Sequence, residues 1–386
     1  MPFAQLVIGA PGAGKSTYCD GMQQFLTAME RKCTVVNLDP ANDRTNYDCA
    51  VDIRDLVSLE KVMEEEELGP NGGVLYAFEE LEENWDWFEE ELRNLSDSYI
   101  LFDCPGQVEL FTHHTTLPNL FHRLEKAGYR LIVVNLMDSH TLSRPTLYVS
   151  SLLLALRSML HLPFPLVNVL TKIDNLSKTA EPLPFNLDFY TEVQDLEYLL
   201  PHLEAEQNNT TVAKLLEKVD DSDPDSDPLD FPETKFTALN RALIQLLSDF
   251  GIIGFETLAV EDKNSMMNLL HAIDRASGYV FGTERGTNES VWGIAMQEGW
   301  GGKIDVRDVQ ERWIDRREEF DDIERKMWEE EARRDGPPPA TEEESGVGGE
   351  KGGELEDDED LEAMQEAFLR DKEKNESSGV RVVRKS

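Results

Sequence analysis

The strongest constraint on this chain lies within its first seventeen residues. An apolar run at Leu6–Ile8 leads directly into Gly9-Ala10-Pro11-Gly12-Ala13-Gly14-Lys15-Ser16, followed by Thr17 and a stretch of helical spacing. Glycines at this density between a strand and a helix let successive backbone N–H groups close around an anion. The helix N-terminus adds positive potential at the same point. This is the phosphate-binding loop pattern, with Lys15 placed to reach the β- and γ-phosphates of a nucleotide and the Ser16 hydroxyl to ligate magnesium. Gly12, Ala13, Gly14, Lys15, Ser16 and Thr17 are the candidate phosphate contacts.

Such a loop belongs at the C-terminal end of a strand in a parallel sheet, and the rest of the chain is patterned for one. Short apolar runs recur at Thr34–Leu38, Tyr99–Phe102, Leu131–Leu136 and Leu166–Leu170, each too short for a helix and several followed by helical spacing. The alternation predicts an α/β fold, a P-loop NTPase with a doubly wound, mostly parallel sheet. A later run, Phe255–Val260, offers one further strand. Leu75, Phe78, Leu81, Trp85, Phe88, Leu92 and Leu95 recur every three or four residues and predict one apolar helix face. Residues 185–250 read as helices around an Asp/Pro-rich loop at 220–232. We expect a domain over 1–282 with helical insertions at about 55–97 and 185–250. A charged helical extension should follow over 283–335, with a thin apolar stripe of Trp313, Phe320, Ile323 and Met327. Residues 336–386 read as an acidic, disordered tail.

Three further strand ends carry chemistry. Asp103-Cys104-Pro105-Gly106 follows the third run, and an Asp at the end of a buried strand is where a P-loop protein keeps the carboxylate that organises its magnesium. Gly106 can offer a backbone N–H to the γ-phosphate, and Gln107 and Glu109 can orient an attacking water. Asp39, after the second run, is a candidate for the magnesium shell or for positioning water. Thr171-Lys172-Ile173-Asp174 follows the fifth run and matches the guanine pattern (N/T)KxD. A carboxylate at Asp174 accepts from both the guanine N1–H and its exocyclic amine, a donor pair that adenine lacks, while the Lys172 stem can lie over the ring. The chain near Ala259 and Val260 can approach the other edge of the base. His113 and His114 read as a polar helix start rather than metal ligands, and Trp85 and Trp87 as core and rim.

Composition narrows the partners. The 386 residues hold 77 acidic and 37 basic side chains, a formal net charge of −40. That excess repels phosphate backbones and anionic lipid, so neither direct nucleic-acid binding nor a membrane surface is expected. The charge is local: residues 59–97 carry 14 acidic and 2 basic groups, and 181–233 carry 15 and 2. The remaining chain that bears the phosphate loop, Asp103, Asp174 and the strands is close to neutral. Four cysteines without a metal or disulfide spacing fit a reducing compartment. No apolar run approaches the ~20 residues of a membrane span, and no secretory leader is expected. A cytoplasmic location is the expectation.

Gly69-Pro70-Asn71, taken with these motifs in their order, resembles the GPN-loop GTPase family over roughly residues 3–282. Val36–Asn42, Phe185–Asp188 and Tyr190–Val193 are similar to the second of its eukaryotic paralogues. The resemblance implies a SIMIBI-class enzyme that hydrolyses GTP to GDP and phosphate with Mg2+. It implies nucleotide-facing dimers, either a homodimer or a heterodimer with another GPN-loop GTPase. Gly69, Pro70 and Asn71 would then point toward the partner's nucleotide, with Asn71 serving catalysis. It also implies a role in assembly and nuclear import of RNA polymerase II, with its subunits or assembly factors as partners and shuttling to the nucleus. Alone, Gly69–Gly73 reads as a tight turn at a helix start. No arginine occupies an obvious finger motif, so charge stabilisation would rest on Lys15, magnesium and backbone N–H groups. Two rivals remain at the level of sequence: a P-loop kinase using ATP, and a GTP-binding assembly scaffold with negligible turnover.

Overall fold

A computed structural model describes residues 2–42, 45–95, 97–178, 183–208, 235–279 and 306–334. The chain opens with β1 (Phe3–Gly9), α1 (Lys15–Ala28), β2 (Cys33–Asn37) and β3 (Cys49–Asp52). Helices α2 (Leu59–Glu65), α3 (Pro70–Glu83) and α4 (Trp85–Arg93) lead to β4 (Tyr99–Asp103). After α5 (Val108–Thr112) and α6 (Thr116–Lys126) come β5 (Arg130–Asp138), α7 (Pro145–His161) and β6 (Leu166–Thr171). Helices α8 (Leu187–Glu192), α9 (Leu200–Gln207) and α10 (Thr237–Phe250) precede β7 (Phe255–Thr257) and α11 (Lys263–Ser277). Residues 306–334 form α12 (Val306–Gln310), a π-helical turn at Glu311–Asp315 and α13 (Arg317–Arg334).

All pairings in the seven-stranded sheet are parallel, in the order β3-β2-β4-β1-β5-β6-β7. β1 is central, with the chain laid outward from it on both sides. Side chains along β1 alternate between faces. Ala4, Leu6 and Ile8 join Phe78, Phe88 and Phe121 of α3, α4 and α6 in one cluster. Val7 points the other way, into a cluster with Tyr18, Met22 and Leu269 of α1 and α11. A third cluster, built on α7–α10, takes in Leu170, Ile173 and Trp313. Parallel pairing throughout puts all the strand C-termini on one rim, and this rim is where such a sheet binds ligands.

All six expected strands form, the last shortened to Phe255–Thr257, and the sheet is wholly rather than mostly parallel. β3 was not legible: only Val51 of its four residues is buried. The expected single face from Leu75 to Leu95 is carried on two helices. Asn84 interrupts them, its Nδ2 donating to the Glu80 carbonyl at 2.9 Å. Phe78, Leu81, Phe88 and Leu92 are fully buried, and Trp85 and Trp87 pack against them at the rim. His113 and His114 close α5 rather than open a helix, both N–H groups donating to the Glu109 carbonyl. The loop expected at 220–232 and the tail over 336–386 lie outside the described residues.

The chain divides into two compact units, Met1–Lys326 and Met327–Ser386. Only the end of α13, to Arg334, is described in the second. In the first, Trp313 is buried and Phe320 half-buried, but Ile323 is 52% exposed. The expected stripe is therefore not continuous, because the π-helical turn shifts the helical phase between Trp313 and α13. The Met327 side chain is outside the described ones. Among the described residues no helix is long and apolar enough to cross a membrane.

Candidate functional site

The phosphate-binding loop is shaped by its glycines. Gly9, Gly12 and Gly14 have φ of +149°, +80° and +89°, and a Cβ on Gly9 would fall 2.4 Å from the Leu136 carbonyl oxygen. Gly14 caps α1, and Tyr18 N–H donates to its carbonyl at 2.8 Å. Lys15 is 8% exposed and turns back into the loop, donating to the Gly9 and Ala10 carbonyls at 3.1 and 3.3 Å. Burial lowers its pKa, while the negative charges of Asp103 and Asp39 oppose the shift.

Parallel register brings the second motif alongside. Asp103 pairs with Val7 of β1 and Asn37 of β2. Its Oδ2 accepts from the Tyr47 hydroxyl at 2.8 Å, and its Oδ1 is buried with no hydrogen-bond partner. Burial pushes this carboxyl above the ordinary aspartate range, against the pull of the Ser16 and Tyr47 hydroxyls and of Lys15. Gly106 closes over the loop so tightly that a Cβ there would lie 2.9 Å from Lys15 Nζ and 3.2 Å from Pro11 Cα. Gln107 donates from Nε2 to Asn71 Oδ1 at 3.3 Å within the same chain, while Glu109 is exposed on the first turn of α5.

Asp39 is braced by its neighbours. Its N–H donates to Asn37 Oδ1 at 3.1 Å, and its Oδ1 accepts from Ala41 N–H at 2.9 Å. Burial raises its pKa, countered by that N–H and by the charges of Lys15 and Arg54. Asn42 reaches Ser16 Oγ with Nδ2 at 3.3 Å. β3 supplies the support: Asp52 accepts from Asn37 and clamps Arg54, whose Nη1 donates to the Asn42 carbonyl at 2.6 Å.

The Ser16 hydroxyl, the unpartnered Asp103 Oδ1 and nearby Asp39 form an oxygen set of the hardness magnesium takes. The ion keeps several waters and binds through one or two side chains plus substrate phosphates. The residues fit it on those terms. Among the described residues no group of three or more His, Cys, Asp or Glu could hold a metal by itself.

The base-reading segment sits on the same rim. Lys172, with φ +59°, donates from Nζ to the Gly12 carbonyl at 2.5 Å and to Asp138 Oδ2 at 2.7 Å. Its stem therefore lies across the phosphate loop. Asp174 follows in a 3-10 turn and is half-buried. Thr171 is buried at the end of β6. Its hydroxyl donates to the Ala13 and Met137 carbonyls, at 2.7 and 3.2 Å, and so ties the base-reading segment to the phosphate loop and to β5. The Ala259 N–H is likewise engaged, by Ser265 Oγ at 3.0 Å. Gly69 caps α3, with Pro70 and exposed Asn71 in its first turn.

Sequence reasoning missed Asn42, Tyr47, Asp52, Arg54 and Asp138. Asp138 was within reach, since it ends β5 as Asp103 ends β4. Tyr47 and Arg54 carry no local signal; only the packing of β3 brings them in.

Residues 7–279 match a family model described as "Conserved hypothetical ATP binding protein". "GPN-loop GTPase 2" of Saccharomyces cerevisiae is 47% identical over 325 residues, spanning 83% of this chain and 87% of its own. The protein of the same name in Schizosaccharomyces pombe is 44% identical over 334 residues, 86% of this chain and 97% of its own. That in Danio rerio is 47% identical over 282 residues, 73% of this chain and 83% of its own.

Proposed function

This chain belongs to the GPN-loop GTPase family, and from that premise we propose that it binds GTP and hydrolyses it to GDP and phosphate. One observation carries the reading. A glycine loop with a buried lysine, a strand-end Asp103 with an open carboxylate oxygen, and the Lys172–Asp174 pair share a single sheet rim.

Gly12–Thr17 hold the phosphates, and Lys15 exchanges its two carbonyl partners for phosphate oxygens. Ser16 and Asp103 hold Mg2+, which when bound screens the charge between the phosphates. Gln107, Asp39 and Glu109 are the candidates that orient the attacking water, with Gln107 held at its outer end by Asn71. The Gly106 N–H meets the terminal phosphate. Charge that builds on leaving oxygens is met by Lys15 and backbone N–H groups already in place. Asp174 reads the guanine edge, and the Lys172 stem covers its face.

At the scale of the cell, we infer a dimeric switch, as a homodimer or with another GPN-loop GTPase. It resides in the cytoplasm, shuttles to the nucleus, and serves assembly and import of RNA polymerase II. This rests on the motif resemblance centred on Gly69-Pro70-Asn71.

The reading is tested at the base. Asp174→Asn removes a charged acceptor worth about 1.5–3 kcal/mol, so GTP affinity should fall roughly 10- to 100-fold with ATP affinity unchanged. Equal losses for the two nucleotides, or preferential hydrolysis of ATP by the parent protein, would overturn it.

A further inference from the structure

The base-reading turn is gripped from the far C-terminal side of the chain. Arg317, the first residue of α13, donates from Nη1 to the Asp174 carbonyl at 2.8 Å. Its own position is fixed locally. Nε faces Asp321 Oδ2 at 3.6 Å, and the guanidinium lies 5.9 Å from the Trp313 ring. Trp313 is itself buried in the cluster that holds Ile173 and Leu176, the two apolar residues flanking Asp174. Arg312 covers the other contact of that ring at 4.4 Å and reaches Asp321 Oδ1 at 2.9 Å. Further back, Gln310 Oε1 accepts the Leu187 N–H at 3.0 Å, and Arg307 approaches Asp188 Oδ2 at 3.6 Å. Residues 306–321 are thus stitched both to the Ile173–Lys178 turn and to the start of α8.

A side chain that hooks a carbonyl fixes the residue carrying it. Here that residue is the one whose carboxylate reads the base. We propose that Arg317 is a positioning residue for base selection: it holds Asp174 in place through its backbone, so that residues 306–321 set guanine selectivity and the rate of nucleotide release. The inference rests on the GTP reading above. Lys172 and the phosphate loop provide affinity for any nucleotide, so loss of the grip should act on the base contact and spare the phosphates. Arg317 is 29% exposed, and Asp321, at 51%, is solvated without it, so the fold should not depend on this pair.

The test uses the full chain, with release of a fluorescent guanine nucleotide followed by stopped flow and binding measured for GTP and ATP. Arg317→Ala should speed release at least fivefold and lower the GTP-over-ATP preference by a similar factor. ATP affinity and the thermal midpoint without nucleotide should stay at parental values. Arg317→Lys, which keeps a donor for the carbonyl, should recover much of the preference. Unchanged release and preference in Arg317→Ala overturn the proposal. So does an equal weakening of GTP and ATP accompanied by a lower midpoint, which would mark a merely structural contact. Failure of the GTP reading is separately visible, because Asp174→Asn in the parent would then leave the preference unmoved.

Discussion

Asp103 is held in a setting that suits catalysis and costs stability. Its carboxylate is almost fully buried, one oxygen has no partner, and burial favours its neutral form. A carboxyl whose folded pKa is raised destabilises the native state at neutral pH, and the cost is relieved as pH falls through that raised value. Asp103→Asn keeps an acceptor for the Tyr47 hydroxyl and removes the charge. The nucleotide-free variant should therefore be more stable than the parent at pH 7, by about 1 kcal/mol, while losing Mg2+-dependent hydrolysis. The gap should close as pH falls through the raised value, where the parental carboxyl takes up its proton. Denaturant titrations at several pH values check both statements, and a less stable variant at pH 7 would refute them. Lys15 is the complementary case: a buried cation whose proton is loosened by burial and retained through Asp103 and Asp39.

At the level of elements, β3 matters out of proportion to its size. Asp52 at its end accepts from Asn37, clamps Arg54 and so braces the loop that carries Asp39 and Asn42 toward Ser16. Burial draws the Asp52 pKa upward, but the Arg54 hydrogen bonds outweigh it and the net shift is downward. Its contribution is present above the ordinary aspartate range and is lost only as pH falls through the depressed value. Asp52→Ala should lower stability by roughly 0.5–1 kcal/mol, discounted because Arg54 is a third exposed. Single-turnover hydrolysis should slow at least fivefold while GTP affinity changes less than threefold, since the phosphate loop is untouched. Slowed hydrolysis with an equal loss of affinity would remove the bracing role.

This element also shows where sequence stops being informative. The phosphate loop, the strand-end Asp103 and the Lys172–Asp174 segment were legible because strong local rules govern them: glycine at positive φ, acids at strand ends, apolar runs for buried strands. β3 was not, because an edge strand with one buried residue has no period to read. The partner of Thr171 was not legible either, because only the folded sheet lays its hydroxyl against the Ala13 carbonyl of the phosphate loop. Arg317 was invisible for a different reason: its partner is 143 positions away in a chain that advertises only charge there.

For the molecule as a whole, the proposed dimer makes a concrete claim. Light scattering with a non-hydrolysable GTP analogue should give twice the mass of one chain, and Asn71→Ala should keep GTP binding but lose hydrolysis. The analogue-bound form should capture polymerase subunits from extract more strongly than the nucleotide-free form. A single-chain mass with full Asn71→Ala activity would reduce residues 69–71 to the helix start they already form. The geometry of the sheet limits how such partners can meet. Among the described residues its two outermost strands are also its shortest, β3 with four residues and β7 with three. A boundary strand that short offers a visiting chain too few unpaired amides and carbonyls to be extended. The sheet is thus terminated at both margins, which guards the protein against edge-on polymerisation and fibre growth. The proposed dimer is then to be built through helices and loops, where recognition depends on side chains and can be switched.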